Sequence, residues 1–300
     1  MSRRDRMDST SSQHNKIAAT NTSQTKTVHT KARREKPPEY PDRFPVSDDK
    51  VPWDCEFPDY LPPYYVSPVV LANDCTSNPK GWADPEDIVR LAQVPKESFA
   101  GTLGHDTLGR PINPQGRTGI AGRGLLGKWG PNYAADPIIT RINKESGTIE
   151  LLAIQRKDNG QWAIPGGMVD KGEEVSRTLS RELLEETGVT LDMEQGRVIY
   201  QGYVDDPRNT DHAWMETTAK HLHLAAELAE RMNLLAGDDA RAVRWLPLSV
   251  ATMDGLYASH CALITKALSE MVRSNPFALC SAELAAIGKL LHSCDDEATP

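Results

Sequence analysis

Residues 167–189 read GMVDKGEEVSRTLSRELLEETGV. A helical period puts Val175, Leu179 and Leu183 on one face, where they can be buried together. Glu182, Glu185 and Glu186 stand at i, i+3 and i+4 and share a different face. Carboxylates crowded on one turn repel each other and cost stability unless a cation is near. Such oxygen donors select hard divalent cations, with Mg²⁺ first and Mn²⁺ as the second choice. Arg181 and Glu173 can brace the helix and the loop before it. Gly188 suits the left-handed position that stops a helix. Gly166 and Gly167 let the backbone approach a metal or a phosphate closely. Taken alone, an acidic helix face is most often solvated surface.

Outward from this stretch the texture is that of an α/β chain. Residues 136–142 and 149–156 read as strands. A turn at Asp158-Asn159-Gly160 leads into a short strand at 161–165. A helix is expected over 173–188, then strands at 197–203, 213–218 and 241–246, and helices at 256–272 and 281–291. Strands and helices alternating in this way indicate an α/β sandwich. Residues 41–135 are rich in proline, glycine and aromatics, which suggests a small β-rich N-terminal domain of short strands and turns. Within it, GRTGIAGRG (116–124) carries Arg117 and Arg123, and reads as a structural turn or as a weak phosphate-binding loop. Residues 1–40 have too few large apolar side chains to bury and read as a disordered basic tail. Their basic, hydroxyl-rich composition also suits a mitochondrial transit peptide, although Asp5 and Asp8 interrupt it. The expected division is therefore a tail (1–40), an N-terminal domain (41–135) and a catalytic α/β domain (136–300).

Charge and cysteine narrow the function classes. The net charge is −8, from 34 Lys/Arg and 42 Asp/Glu. Residues 1–36 hold nine basic and three acidic side chains, so the rest of the chain carries −14. An acidic body argues against nucleic acid as a partner. It suits an enzyme that needs carboxylates for cations bridging to phosphate. No apolar run is long enough for a membrane span. Cys55, Cys75, Cys261, Cys280 and Cys294 show no metal-type spacing and read as reduced thiols of an intracellular, soluble protein. Mitochondrion and cytosol both remain open, and a monomer is expected.

The order Gly167, five residues, Glu173, seven residues, Arg181-Glu182-Leu183, one residue, Glu185-Glu186, one residue, Gly188-Val189 specifies nine positions. At ordinary residue frequencies a chance match falls below about one in a million. The pattern resembles the complete box of the Nudix hydrolases. That resemblance implies an α/β/α sandwich with a mixed sheet and metal-dependent hydrolysis of a nucleoside diphosphate linked to another group. It also implies metal ligation by Gly167, Glu182, Glu185 and Glu186, with Arg181 and Glu173 in support. A further carboxylate must accept a proton: a box glutamate, Asp238, Asp239 or Glu216.

Blocks outside the box narrow the resemblance. They are GRTG (116–119), GRGLLG (122–127), WGPN (129–132), AADPIITR (134–141), WAIPGGMVD (162–170), GYVDDPRNTD (202–211) and LYASH (256–260). Together they resemble the mitochondrial-type ADP-ribose pyrophosphatases, a family that also supplies a domain of an ADP-ribose-gated channel. This implies hydrolysis of ADP-ribose to AMP and ribose 5-phosphate. By the same resemblance, Asp206 and Arg208 lie near the ribose–phosphate end of the ligand, and Tyr257 and His260 close on it. Each also has a plainer reading as a turn, surface or core residue. Trp214 could stack on adenine or fill the core. Two alternatives stand beside this one: a non-catalytic ADP-ribose sensor, and a Nudix hydrolase of another nucleoside diphosphate derivative. The segment 190–196 is shorter than is usual in the family, and nothing matches beyond about residue 274.

Overall fold

The computed structural model of the chain describes residues 29–170, 172–237 and 240–297. Residues 1–28 of the tail expected at 1–40, with its targeting reading, lie outside them, as do Asp238 and Asp239. The N-terminal part holds α1 (Lys31–Arg34), β1 (Tyr64–Val66), α2 (Pro68–Ala72), the hairpin β2 (Glu97–Ser98) and β3 (Gly101–Thr102), and β4 (Ala121–Gly124). Long strands follow in β5 (Gly130–Ile142) and β6 (Ile149–Arg156), then the short β7 (Trp162–Ala163) and β8 (Gly167–Met168). The chain continues as α3 (Val175–Thr187), β9 (Arg197–Tyr203), β10 (Ala213–Leu224), α4 (Ala226–Glu230), β11 (Ala240–Pro247), α5 (Val250–Asp254), α6 (His260–Ser274) and α7 (Ser281–Glu297).

The central sheet runs β11-β6-β5-β10-β9, with β7 added to β6 and β8 to β5. It is mixed: β5 and β10 are parallel, and the other pairs are antiparallel. Side chains alternate across a strand, and the two cores follow that alternation. Ile138, Leu151 and Ala153 join Leu263, Ile264, Leu268 and Ile287 on the face covered by α6 and α7. Their neighbours Ile139 and Leu152 join Leu179, Leu183 and Met193 on the face covered by α3. This is the α/β/α sandwich that the alternating elements imply. The C-terminal segment after residue 274, which matched nothing in the sequence reading, is docked through Ile287. No helix among the described residues is long and apolar enough to cross a membrane.

The helix α3 begins two residues later than expected, with Glu174 as its N-cap. Glu173 falls in the preceding turn, where its carboxylate accepts from the Thr178 hydroxyl at 2.8 Å. The expected stop is observed: Gly188 has φ 72° and its N–H bonds to the Leu184 carbonyl at 2.9 Å.

Three other expectations are corrected. Residues 29–40 are packed rather than a loose tail, with His29, Ala32, Arg33 and Tyr40 buried. Backbone and polar contacts hold this segment, so its lack of apolar side chains misled. The boundary at 135/136 falls inside β5, one continuous strand whose first half pairs with β8 and β10. The helix expected from residue 256 starts at His260, because Leu256 bridges to Trp162 and the Tyr257 N–H bonds to the Trp162 carbonyl at 2.9 Å.

Ahead of β5 the chain is short strands joined by turns, tied by buried arginines. The Arg117 guanidinium donates to the carbonyls of Lys50, Pro52, Trp53 and Cys55. Arg123 donates to the carbonyls of Asp84 and Gly127 and pairs with Glu86. Irregular backbone leaves carbonyls without ladder partners, and these two side chains supply the donors. The glycine-dense stretch 116–124 is therefore a structural turn region, and its arginines are committed inward.

Candidate active site

The acidic wall of the site is built on α3. With Leu179 and Leu183 fully buried, the opposite face of the helix turns its carboxylates outward. Arg181 threads them. Its Nε and Nη2 bond both oxygens of Glu173 at 3.0 Å. Its Nη1 reaches Glu182 at 2.7 Å and Glu185 at 3.2 Å. Nη2 also donates to the Met168 carbonyl at 3.3 Å, tying the helix to β8. The hydrogen-bonded guanidinium holds the Glu173 carboxyl down to about 2. Burial pushes Glu182 up, with Arg181 opposing.

The loop from β7 to β8 closes on this wall. The Gly166 N–H donates to the Glu186 carboxylate at 2.9 Å. At Gly167 a Cβ would lie 2.3 Å from Oε1 of Glu182, so the glycine is a cradle for the carboxylate, which any side chain here would have to displace. The chain at 235–237 lies against the C-terminal end of α3, with Leu235 bonded to the Thr187 carbonyl at 2.9 Å and Gly237 to the Glu186 carbonyl at 3.2 Å.

The opposite wall carries two arginines, each paired with an aspartate, and aromatic side chains. Arg208 makes a bidentate pair with Asp206: Nε to Oδ1 and Nη2 to Oδ2, each 2.8 Å. The backbone N–H of Arg208 adds a third bond to the same carboxylate, also 2.8 Å. Burial would raise the Asp206 carboxyl, but Arg208 outweighs it and the net shift is downward. Arg156 lies over the Tyr257 ring, 4.1 Å from its centroid. Tyr257 and His260 meet edge to face at 5.6 Å. The Ile164 N–H donates to His260 Nδ1 at 2.9 Å, so the proton of the neutral ring sits on Nε2. Burial, then Arg156, lowers that imidazole to about 4, which keeps it neutral. Between these residues Ala258 takes φ 45°, a left-handed conformation strained for a side chain with a Cβ. The two walls line one cleft, which Glu186, Gly167, Arg156, Arg208, Tyr257 and His260 share.

Several residues of the cleft escaped the sequence reading. Asp136 lines it and is buried. Its Oδ2 accepts from the Thr217 hydroxyl at 2.5 Å, and burial pushes its carboxyl up to about 6. An acid inside an apolar strand run was the available signal. Arg156 ends a strand and carried no signal of its own. Two earlier candidates are removed. Glu216 is fully buried, with its oxygens taken by the Trp214 indole at 2.8 Å and the Phe99 N–H at 2.9 Å. It cannot serve as a proton acceptor. Trp214 is fully buried core and presents no face to a ligand.

Among the described residues, no three His, Cys, Asp or Glu side chains are grouped as a metal cage. Small hard ions such as Mg²⁺ are held by one or two carboxylates together with substrate phosphates and waters, so a full protein cage is not required. The Glu182 carboxylate cradled at Gly167, with Glu185 and Glu186 on the same helix face, fits that mode of binding.

Comparison with known proteins agrees with this geometry. Residues 133–264 match the model of the NUDIX domain, and residues 46–130 match the NUDT9-like, N-terminal domain. The putative nudix hydrolase 6 of Caenorhabditis elegans is 46% identical over 237 residues, covering 73% of this chain and 87% of that protein. The mitochondrial ADP-ribose pyrophosphatase of Rattus norvegicus is 42% identical over 282 residues, covering 79% of this chain and 76% of the relative. The transient receptor potential cation channel subfamily M member-like 2 of Nematostella vectensis is also 42% identical, over 280 residues, but the match takes up 17% of the channel. With an acidic box helix facing an arginine-bearing wall across one cleft, behind a matching N-terminal domain, this chain belongs to the Nudix hydrolases, in the family of mitochondrial-type ADP-ribose pyrophosphatases.

Proposed function

We propose that the chain hydrolyses the diphosphate bond of ADP-ribose to AMP and ribose 5-phosphate, with Mg²⁺ as the metal and Mn²⁺ as a substitute. The observation that carries this reading is that two guanidinium groups stand in one cleft with the box carboxylates. Glu186 and Gly167 lie on the box side, and Arg156 and Arg208 line the same space. A diphosphate carries charge that repels both an attacking water and the carboxylates. It needs cations on both sides.

In this reading Glu182, Glu185 and Glu186, with the backbone at Gly167, hold the divalent ion. When bound, that ion supplies neutralisation of the diphosphate and activation of water. The protein does the rest. Arg181 keeps the carboxylates in register, since it bonds Glu173, Glu182 and Glu185 at once. Asp206 fixes the guanidinium plane of Arg208 by its bidentate grip, so the charge is presented to phosphate without a search through rotamers. Neutral His260 offers an Nε2–H to a sugar or phosphate oxygen, and Tyr257 closes the ribose end. The proton of the attacking water goes to a box glutamate, or to Asp238 or Asp239 on the segment that follows Gly237.

The channel relatives raise a second reading, a sensor that binds ADP-ribose without cleaving it. The intact set Arg181, Glu182, Glu185 and Glu186 favours catalysis. Calorimetry with ADP-ribose, run beside a turnover assay with Mg²⁺, separates the two. Binding with turnover is expected. Tight binding with no hydrolysis would overturn the catalytic reading.

A further inference from the structure

Asp206 and Arg208 stand on the stretch 205–209, which has no helix or strand of its own. Its backbone carbonyls need donors. The donors come from far away in sequence. Tyr40 donates its hydroxyl to the Arg208 carbonyl at 2.6 Å. The Arg43 guanidinium donates to the carbonyls of Pro207 at 2.5 Å and Asn209 at 3.3 Å, and to Thr118 and Glu35 besides. The Asp205 carboxylate accepts the backbone N–H groups of Lys31 at 2.9 Å and Ala32 at 2.8 Å. It thereby caps the first turn of α1, where Thr30 makes no side-chain cap. His29 bonds the Tyr203 hydroxyl at 2.8 Å and the Arg117 carbonyl at 3.1 Å.

These contacts are buried and specific. His29 is 2% exposed and Tyr40 3%. The Tyr40 hydroxyl also accepts from the Leu125 N–H at 2.9 Å. At Gly124 a Cβ would lie 1.9 Å from that hydroxyl, so the glycine leaves the room that Tyr40 fills. On the other side, the Ser259 hydroxyl donates to the Asp205 carbonyl at 2.7 Å. The same loop is thus tied to the turn that carries Tyr257 and His260. His29 and Asp205 line a second chamber that adjoins the cleft and shares Val204, Asp205, Ser259 and Leu263 with it.

We propose that residues 29–43 form a strap that belongs to the substrate site, with Tyr40, Arg43 and the Asp205-capped turn as positioning residues for Asp206 and Arg208. The strap lies ahead of the N-terminal domain match, which starts at residue 46. Its action is preorganisation. A loop left to water samples many backbone states, and ordering it on binding weakens affinity. The strap holds the loop ordered before substrate arrives. Among the described residues, none of its hydrogen bonds or ion pairs reaches a box residue, so it acts on capture rather than on the metal-dependent step.

The inference rests on the ADP-ribose reading for its substrate, and the test keeps the two apart. In the full chain, Tyr40→Phe removes one hydroxyl and Asp205→Asn removes one charge at constant size. Each is expected to raise KM for ADP-ribose about fivefold, the loss of roughly one hydrogen bond, with kcat and the half-saturating Mg²⁺ concentration within about twofold of wild type. Thr140→Val removes a buried hydroxyl that bonds His221 and His223 toward the far end of β10 from this loop. It should lower Tm and leave KM unchanged. Unchanged KM in both strap variants, or an equal rise in the Thr140 variant, would overturn the strap. If wild type turns over a different nucleoside diphosphate, the ADP-ribose reading fails, and the same comparison on that substrate still decides the strap.

Discussion

At the residue scale, the site depends on groups that cannot be swapped for near neighbours. Changing Glu185 and Glu186 together to Gln keeps size and removes charge. That should cost at least about 100-fold in kcat while the fold persists, and retained activity would put the metal elsewhere. Gly167→Ala asks a narrower question. Its new Cβ would lie 2.3 Å from Oε1 of Glu182 and must displace that carboxylate. The expected result is a loss of kcat of at least tenfold, of the order a metal ligand or its support contributes, with Tm little changed. Full activity would show that the cradle is not needed. The box glutamates and Gly167 were legible because their spacing is fixed by one helix and one loop. Asp136 showed only as an acid in an apolar strand run and Arg156 not at all, since nothing local in sequence says that β5 and β6 bring them to the cleft. Glu216 misled for the mirror-image reason. Its partners, Trp214 and Phe99, occupy it only in the folded chain.

At the scale of elements, α3 was readable almost in full. Its apolar period predicted the buried face, and Gly188 marked its end. Leu183→Ala should destabilise the fold by about 2–5 kcal/mol, because it empties a fully buried position of the core under α3. Gly188→Ala should cost about 1 kcal/mol or more, since φ 72° is strained for a side chain. Denaturant unfolding measures both, and a neutral Leu183→Ala would contradict the packing. The turn before α6 was less readable. Helical spacing continues back to Leu256, but the bridge to Trp162 takes the chain out of the helix there. Residues 29–40 were unreadable for a related reason. Composition registers apolar burial, whereas this segment is held by capping and by polar side chains such as Arg33, which bonds the carbonyls of His29 and Val46.

At the scale of the whole molecule, burial of imidazoles sets the response to acid. Burial, the largest cause in each case, lowers His29, His212, His223 and His260 to about 4 and His221 to about 3. These rings are neutral in the fold and take up protons near 6.5 once unfolded. Their contribution to stability is therefore whole above about pH 6.5 and is lost as pH falls toward 4. Asp136, pushed up to about 6 by burial, works the other way, its contribution lost as pH rises from the usual carboxyl range toward 6. Glu182 and Asp211, also raised by burial, act in the same sense as Asp136, but these three carboxyls stand against five imidazoles, so Tm should fall between pH 7 and 5, and a flat profile would contradict the burial of these rings. The mixed sheet sets the two walls of the cleft opposite each other, one from the box helix and one from the 205–209 loop and the start of α6. The proposed reaction is cleavage of the diphosphate of ADP-ribose in this cleft, giving AMP and ribose 5-phosphate. The most direct test is product identification from a panel of nucleoside diphosphate derivatives, with and without Mg²⁺. The proposed reaction gives AMP and ribose 5-phosphate in equal amounts from ADP-ribose, dependent on the metal. Cleavage of another member of the panel, with no AMP from ADP-ribose, would contradict it.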